Sequence, residues 1–370
     1  MQIIINQPRA SYYIGGAEMI SFQHAKFFSY KDVVTFISVS PRSICKNYSK
    51  QYLDFKKKYK DRILFIELDM PKKYSYIYDI AEGSDRFRWN WESIIYNRLL
   101  NLFVNSRYEK SIIDVIFSYY ILDSIIINKK IIKNNCLYLC GTPKKEDDFQ
   151  GSFLISYDKT IAISGNTKDY WQKYSKTEIP VIPTGVDSSR FKFTHKDSVN
   201  TSKVVLYIGR MLKRKGVYLF AEVARKIIDT GSINIKFRMV GDGPELSHLK
   251  SNYDDIIDFT GSVDNPEYFI GSSDVVVLPS LYGEGIPGVI LESMSCGKPV
   301  IASNTHVNRE LLGDNRGVVV EELSKEKILE AILNVLYGNI RIAGSRSRKY
   351  IVDNYNWSDI ANQLRKELLA

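Results

Sequence analysis

Residues 279–303 read Pro-Ser-Leu-Tyr-Gly-Glu-Gly-Ile-Pro-Gly-Val-Ile-Leu-Glu-Ser-Met-Ser-Cys-Gly-Lys-Pro-Val-Ile-Ala-Ser, directly after an apolar run from Val275 to Leu278. Such an unbroken apolar run is typical of a strand that is buried on both faces of a parallel sheet. The glycines that follow let the backbone approach a ligand, and Pro287 is predicted in the first turn of a helix. The segment therefore predicts strand, loop, helix and strand in succession, which is the repeating unit of an α/β fold.

The predicted loop and helix carry groups that suit a ligand with both phosphate and hydroxyl groups. The N-terminus of a helix directs unpaired backbone amides at an anion. Glu284 and Glu292 are about two helical turns apart, so both carboxylates can face the same crevice and accept hydrogen bonds from hydroxyls. A sugar nucleotide fits this combination better than a simple anion. The residues predicted to contact it from the loop are Gly285, Ile286, Pro287 and Gly288.

The segment from Glu284 to Glu292 resembles the paired-glutamate motif of the retaining GT-B glycosyltransferases of family 4. Other parts of that pattern occur elsewhere in the same order, and the resemblance is strong from Ile179 to about Arg316. These parts are Gly15-Gly16-Ala-Glu, Pro183-Thr-Gly-Val-Asp187, Gly209-Arg210 with Lys215-Gly216, and Val240-Gly-Asp-Gly-Pro244. The resemblance implies an α/β fold of the GT-B type, in which two Rossmann-like doubly wound domains face a central cleft.

The same resemblance implies roles for individual residues. Arg210 and Lys215 are expected on the diphosphate of the donor, where they stabilise the leaving group and take the place of a metal ion. Glu284 is expected on the transferred sugar and Glu292 on the ribose, whereas the backbone near Val263 meets the nucleotide base. The implied catalytic residues are Arg210, Lys215 and Glu284, and the remaining donor contacts are Gly15, Gly16, Gly209, Val263, Glu292 and the loop 285–288. Neither a cofactor nor a metal site is expected, and the substrate is a nucleotide-sugar, by default a UDP-sugar.

Apolar strand candidates alternate with helical stretches in both halves of the chain, which favours doubly wound sheets. We predict an N-terminal acceptor-binding domain over residues 1–187 and a nucleotide-sugar-binding domain over 188–356. Residues 357–370 are predicted to form a helix that crosses back to the first domain. The segment from Ser188 to Lys203 lacks apolar periodicity and is interpreted as the linker.

The net charge of +9 is concentrated in the first half of the chain. Residues 1–180 contain 27 Lys and Arg against 19 Asp and Glu, whereas the remainder contains 24 against 23. A nucleic-acid partner, an anionic membrane surface or an acidic acceptor would each explain such asymmetry. The lysines from Lys56 to Lys60, set among tyrosines and a phenylalanine, indicate either a solvated helix face or contact with a membrane or acceptor.

These observations lead to one functional hypothesis and three rivals. The hypothesis is a cytoplasmic glycosyltransferase acting on a glycan or lipid-linked acceptor, with peripheral contact at the inner face of an anionic membrane and no nucleic-acid partner. The rivals are a sugar-nucleotide epimerase or hydrolase of the same fold, a non-catalytic nucleotide-binding or membrane-binding module, and a nicotinamide dehydrogenase. The dehydrogenase is disfavoured because Gly241-Asp-Gly-Pro lacks the full dinucleotide-binding pattern.

Two residue types limit the chemistry further. Cys45, Cys136, Cys140 and Cys296 form no CxxC pair, which favours buried thiols in a reducing cytosol over a metal site or disulfides. His24 is the only histidine before residue 190, and it lies on a predicted amphipathic helix, where a structural role is expected. The group that activates the acceptor is therefore unassigned from sequence.

Overall fold

The computed structural model of the protein describes all residues except 14, 45, 73–84, 126, 143–144, 195–201, 232–233, 283–284, 339 and 370. The chain divides into two compact units, one formed by Met1–Pro183 with Ser358–Ala370 and the other by Thr184–Trp357. Each unit contains a parallel six-stranded sheet with helices between successive strands. The predicted pair of doubly wound α/β domains is therefore confirmed.

The first sheet has the strand order β3-β2-β1-β4-β5-β6. Its central strand pairs in parallel on both sides, with Ile4 opposite Thr35 on β2 and Ile116 on β4. The strands are β1 (Gln2–Asn6), β2 (Val33–Val39), β3 (Ile63–Leu68), β4 (Ile113–Ser118), β5 (Ile132–Leu139) and β6 (Lys159–Ala162). The helices of this unit are α1 (Gly16–Phe28), α2 (Lys50–Tyr59), α3 (Asp85–Arg107) and α4 (Gly165–Gln172).

The second sheet has the order β12-β11-β10-β7-β8-β9, so it repeats the topology of the first. Its strands are β7 (Lys203–Ile208), β8 (Ile235–Val240), β9 (Ile257–Gly261), β10 (Val275–Leu278), β11 (Val300–Ser303) and β12 (Val318–Val320). Its helices are α5 (Val217–Ile228), α6 (Leu246–Tyr253), α7 (Pro266–Ser272), α8 (Gly288–Ser295), α9 (His306–Leu312), α10 (Lys325–Leu336) and α11 (Gly344–Tyr355). In both units the order reverses between the first strand and the fourth.

Burial explains why these segments adopt their structures. All four residues of β10 are buried, as expected for an apolar strand covered on both faces. Helix α5 buries Val217, Phe220, Ala221 and Ala224, whose spacing of three and four residues places them on one helical face. The second core is therefore built from apolar strands and one-sided helices, and it holds the carboxyl ends of the strands in fixed positions.

The boundary between the two units lies four residues before the predicted one. Residues 184–187 belong to the second unit, because the Val186 amide donates to the Tyr355 carbonyl at 2.7 Å and Gly185 packs against Trp357. A Cβ at Gly185 would lie 2.9 Å from the Trp357 ring. The predicted linker also starts too early, since Phe191 is buried and its carbonyl accepts from Ser295 Oγ at 2.7 Å.

The last helix, α12 (Trp357–Leu369), belongs to the first unit from Ser358 onward. Arg365 donates to both carboxylate oxygens of Asp32 at 2.8 and 2.9 Å, and Lys159 donates to the Glu367 carbonyl at 2.6 Å. These contacts connect the end of the chain to β6 and to the residue before β2. In the part of the chain that the structure describes, every helix is too short or too polar to cross a bilayer.

Candidate functional site

The carboxyl edge of the second sheet is the place where a doubly wound fold binds ligands, at the point where the strand order reverses. Here the reversal lies between β7 and β10, which are neighbours in the sheet. The Leu281 amide in the loop after β10 donates to the Arg214 carbonyl in the loop after β7 at 2.8 Å. The two loops that carry most of the predicted donor contacts are therefore joined directly.

Two glycines allow neighbouring loops to approach each other closely along this edge, Gly216 between the loops after β7 and β10 and Gly241 between the loops after β7 and β8. Gly216 has φ +69°, and a Cβ there would lie 1.9 Å from the Pro279 carbonyl oxygen. Gly241 has φ +134°, and a Cβ there would lie 2.0 Å from the Gly209 carbonyl oxygen. Any larger residue would force the loops apart, so both positions require glycine for backbone geometry. The predicted contact residue Gly209 is held in the same place, because its amide donates to the Val240 carbonyl at 2.9 Å.

The predicted cations Arg210 and Lys215 lie on the loop after β7. Arg210 is exposed, and its carbonyl accepts from the Tyr207 hydroxyl at 2.9 Å, which fixes the backbone directly after the strand. Lys215 is partly buried and ends the 3₁₀ turn Lys213–Lys215, immediately before α5. The structure thus presents positive charge at the reversal point, where an anionic ligand would bind.

The loop after β10 leads into α8, the helix of the paired-glutamate segment. Pro287 is the residue before this helix and not part of its first turn, since its ψ of 110° is extended and the helix begins at Gly288. Gly285 and Ile286 are partly buried, and Gly288 is exposed. The first amides of a helix have no partner within the helix, so this terminus retains donors for an anion. Glu284 lies outside the described residues, and its role stays a prediction.

Glu292 lies on α8 and is partly buried. Burial raises the pKa of its carboxyl group to about 7, Arg190 opposes this shift, and Glu267 adds to it. None of the described residues donates a hydrogen bond to its carboxylate. Glu292 is therefore a carboxylate with unused acceptor capacity beside the predicted nucleotide site.

Val263 follows β9 and packs, partly buried, against the core of the second unit. The segment before it is tied to the neighbouring loop, because the Gly241 amide donates to the Gly261 carbonyl at 2.9 Å. The loops after β7, β8 and β9 are therefore connected by backbone hydrogen bonds along one sheet edge. This edge brings together all described residues of the second unit that the sequence assigns to the donor.

Gly15 and Gly16 belong to the first unit, at the start of α1. The Gly15 amide donates to Glu18 Oε2 at 2.9 Å, and the other oxygen of this buried carboxylate accepts from the Tyr120 hydroxyl at 2.7 Å. Burial raises the pKa of Glu18. Because the Gly15 amide already donates to Glu18, it is not available to a ligand in this conformation.

A buried ionic cluster at the corresponding edge of the first sheet was not predicted from sequence. Arg9 follows β1 and is only 2% exposed. Its guanidinium lies 3.8 Å from Glu92 and 3.7 Å from Asp123, and it donates to Ser93 Oγ at 2.8 Å. Burial raises the pKa of Glu92 to about 7 and also raises that of Asp123, whereas Arg9 lowers both. No local sequence motif predicts this cluster, because its members come from three distant parts of the chain.

Two other sequence interpretations concern the first unit. His24 is fully buried, its Nδ1 lies 2.8 Å from the Tyr119 hydroxyl, and burial lowers its pKa to about 3. It thus belongs to the interior of the unit. The aromatic residues of α2 also face inward, since Tyr52 is buried and Phe55 stacks on Phe22 with ring centroids 4.7 Å apart. Only the lysines of that segment remain as candidates for membrane contact.

Comparison with known proteins finds a family model that matches most of the second unit. The family described as glycosyl transferases group 1 matches residues 202–337, which contain the sheet edge described above. An uncharacterised glycosyltransferase of Methanocaldococcus jannaschii is 26% identical over 251 residues, covering 60% of this chain and 64% of its own length. The UDP-Gal:alpha-D-GlcNAc-diphosphoundecaprenol alpha-1,3-galactosyltransferase of Escherichia coli is 32% identical over 200 residues, covering 48% of this chain.

The chain spans 51% of the length of the Escherichia coli relative. Among solved structures, HepE of Anabaena in complex with UDP and glucose superposes with a TM-score of 0.75 over the full length of both chains, at 16% identity. At that identity the likeness shows the fold. The chain therefore has the GT-B fold, and its residues 202–337 match the family described as glycosyl transferases group 1.

Proposed function

We propose that the protein is a retaining glycosyltransferase that moves a sugar from a UDP-sugar to a glycan or lipid-linked acceptor in surface polysaccharide or glycoconjugate synthesis. One observation carries the proposal. The loop of Arg210 and Lys215 is bonded to the loop that leads to Glu292, at the edge where a doubly wound sheet binds nucleotides. We take these cations to bind the diphosphate and the Glu292 carboxylate to bind hydroxyls of the same donor.

The names of similar proteins support the choice of donor and acceptor. The Escherichia coli relative is named for UDP-Gal and for a diphosphoundecaprenol acceptor, and HepE was solved with UDP and glucose. A UDP-sugar and a lipid-linked glycan are therefore the substrate classes that we propose for this chain. GDP-sugars are the alternative donors to be tested.

The proposed reaction breaks the bond between the anomeric carbon and the diphosphate oxygen, which keeps the bonding electrons. The acceptor oxygen bonds to the anomeric carbon on the same face, and its proton passes to the departing diphosphate. Arg210 can hold phosphate oxygens with two parallel N–H groups, and Lys215 adds a second positive charge. Both interactions strengthen as the leaving group gains charge, so they lower the barrier and do the work of a metal ion.

The remaining assignments complete the donor site. Glu292 accepts hydrogen bonds from the ribose hydroxyls, and Glu284 contacts the transferred sugar. Val263 and the loop 285–288 line the nucleotide and the diphosphate, and the assignment of Gly15 and Gly16 to the donor stays a prediction. We also propose a cytoplasmic location with peripheral contact to an anionic membrane, through the exposed lysines of and just after α2.

Thermal denaturation with a panel of UDP-sugars, GDP-sugars and NAD tests the donor class, since a ligand that binds only the folded state raises the melting temperature. We expect UDP-sugars to give the largest increase. Product analysis should then detect transfer that persists in excess chelator. Free sugar or an epimer formed without acceptor would instead indicate a hydrolase or epimerase, and loss of activity with chelator would contradict metal independence.

A variant of Glu284 separates its role from nucleotide binding. Glu284→Ala should lower the turnover number far more than it lowers the affinity for UDP, because UDP lacks the transferred sugar. Equal losses in turnover and in UDP affinity would place Glu284 on the nucleotide and contradict the assignment.

A further inference from the structure

Arg190 joins two parts of the second unit that are far apart in sequence. Its Nε donates to Glu267 Oε2 at 2.9 Å, and its Nη2 donates to the Asp264 carbonyl at 2.7 Å. Asp264 directly follows Val263, and Glu267 lies in the first turn of α7. The guanidinium therefore holds the segment proposed to meet the nucleotide base against the next helix.

The backbone around Arg190 is itself fixed. Asp187 Oδ1 accepts from the Ser189 and Arg190 amides at 3.2 Å each, which forms a tight turn. The next residue, Phe191, is buried, and its carbonyl accepts from Ser295 at the end of α8 and from Arg348 on α11. Arg190 thus projects from a segment that is anchored to α8, the helix that carries Glu292.

Arg190 and Glu267 are also the charged side chains that act on Glu292, with opposite signs. Arg190 favours the ionised form of Glu292, and Glu267 disfavours it. Cys296, the residue directly after α8, donates its amide to the Glu292 carbonyl, and burial raises the pKa of its thiol to about 12, so the thiol stays neutral near pH 7. Arg348 of α11 donates to the carbonyls of Phe191 and Ser295.

We propose that Arg190 is a positioning residue for the nucleotide, which holds the Val263–Asp264 segment in place and offsets the charge of Glu267 beside Glu292. This inference rests on the proposed function, because it requires a nucleotide with ribose hydroxyls at this edge. An ionised carboxylate accepts hydrogen bonds on both oxygens, whereas protonation turns one of them into a donor, so two neighbouring hydroxyls bind better to the ionised form. Arg190 thereby couples the placement of the base segment to the charge state of the ribose acceptor.

This coupling should be measurable in how the affinity for UDP depends on pH. In the wild-type protein the affinity for UDP should rise as the pH increases through about 7, because Glu292 loses its proton there. Without Arg190, the unpaired charge of Glu267 should shift this midpoint upward. A shift of about one pH unit would lower the ionised fraction at pH 7 from about one half to about one tenth, so UDP binding should weaken roughly fivefold.

Calorimetric titration of the full-length protein with UDP from pH 6 to 9 tests the proposal. We expect Arg190→Gln to bind roughly fivefold more weakly than wild type at pH 7 and to recover most of this loss at pH 9. Arg190→Lys keeps the charge and should keep the wild-type midpoint. Adding Glu267→Gln to Arg190→Gln removes the repulsion and should return the midpoint toward wild type. The titration of UDP itself is common to all variants and cancels in these comparisons.

Arg225→Gln is the matched control. Arg225 also forms a fork, with Asp255 at 2.6 and 2.7 Å and with the Asn252 carbonyl at 3.3 Å, near the amino end of β9. This control should bind UDP as wild type does. Arg190→Gln with an unchanged midpoint, or with a loss that is equal at every pH and unaffected by Glu267→Gln, would overturn the inference. A wild-type protein that binds neither UDP nor GDP would overturn the proposed function itself.

Discussion

The two sheets have the same strand order, and in each an arginine follows the first strand at the carboxyl edge, but the surroundings of the two arginines differ. Arg9 follows the first strand of the first sheet and is 2% exposed, whereas Arg210 follows the first strand of the second sheet and is exposed. Arg9 lies between two buried carboxylates, and burial raises the pKa of one of them, Glu92, to about 7. Arg210 instead is an exposed residue on a loop whose backbone is fixed by the hydrogen bond from Tyr207.

The difference separates a buried charge that we expect to stabilise the fold from exposed charges that we propose act on the substrate. Removing one member of a buried ion cluster leaves its partners charged in a medium of low polarity, which strongly destabilises the fold. An exposed arginine contributes little to stability because water solvates it. We therefore expect changes at Arg9, at the carboxyl edge of the first sheet, to affect stability. Changes at Arg210, at the carboxyl edge of the second sheet, should affect turnover, although the strand order around both arginines is the same.

The largest effect is expected from Arg9→Met. This change leaves Glu92 and Asp123 as buried acids without their cation, so the free energy of unfolding should fall by about 3–5 kcal/mol. Urea denaturation followed by circular dichroism measures the change.

Arg210→Met is the control for this experiment, and it should alter the free energy of unfolding by less than about 0.5 kcal/mol. Combining Arg9→Met with Glu92→Gln and Asp123→Asn should recover part of the loss, because no buried charge then remains unpaired. Similar stability losses for Arg9→Met and Arg210→Met would contradict the expectation that only the buried arginine stabilises the fold.

The second effect concerns turnover at the exposed edge. Each charge-assisted contact to the departing diphosphate is worth roughly 1.5–3 kcal/mol, so Lys215→Ala should lower the turnover number by at least about tenfold. UDP-sugar binding should change less, because the contact strengthens in the transition state. Arg210→Lys should also be impaired, since an ammonium group cannot form two parallel hydrogen bonds.

Lys213→Ala provides a matched control within the same 3₁₀ turn, because Lys213 is exposed and has no assigned role. Its turnover number should stay near that of wild type. Near-normal turnover of a variant that combines Arg210→Ala with Lys215→Ala would refute leaving-group stabilisation by these cations.

The third effect is a pH dependence of stability at the buried edge. The pKa of Glu92 is raised from 4.5 to about 7, so between these pH values the folded state holds a proton that the unfolded chain has lost. This contribution to stability is fully present below pH 4.5 and is lost as the pH rises through about 7. The stability of wild type relative to Glu92→Gln should therefore fall by about 1–3 kcal/mol between pH 5 and pH 8.

The comparison with Glu92→Gln is necessary because His24 acts in the opposite direction. Its pKa is lowered to about 3, so its contribution is lost as the pH falls below its ordinary value. That contribution is common to both proteins and cancels in their difference. A difference in the free energy of unfolding that stays constant from pH 5 to pH 8 would mean that Glu92 keeps its charge in the fold.

Local sequence patterns predicted most of the architecture and much of the carboxyl edge of the second sheet. The apolar run of β10, the glycines at 216 and 241 and the loop cations are each visible in a short stretch of sequence, because strand burial and tight turns leave local signatures. The first part of the predicted linker, residues 188–194, was misjudged for a physical reason. Its polar composition suggested a linker, but the Phe191 carbonyl in it accepts hydrogen bonds from Ser295 and Arg348.

The buried cluster at the carboxyl edge of the first sheet and the contacts of Arg190 could not be predicted in this way. Ser93 is 84 residues from Arg9, and Glu267 is 77 residues from Arg190. Such pairs follow from tertiary structure, and neither has a periodicity that a single sequence reveals. Pro287 shows that the exact start of a helix is also hard to predict. Proline favours the first turn of a helix, but here Pro287 has an extended ψ of 110° and the helix begins one residue later.

The smallest effect tests the charge of the first unit at α2. Lys57, Lys58 and Lys60 are exposed, whereas Lys56 donates to Glu67 at 2.7 Å and is thereby neutralised. Replacing any one of the exposed lysines with Gln should lower partitioning onto vesicles containing anionic lipid by about 1 kcal/mol, or roughly fivefold, because a lysine near the surface contributes about that much. Lys56→Gln, in the same helix, should change partitioning much less. Equal losses at all four positions would show that the pair with Glu67 does not shield Lys56, and the absence of any loss would remove α2 from the proposed membrane contact.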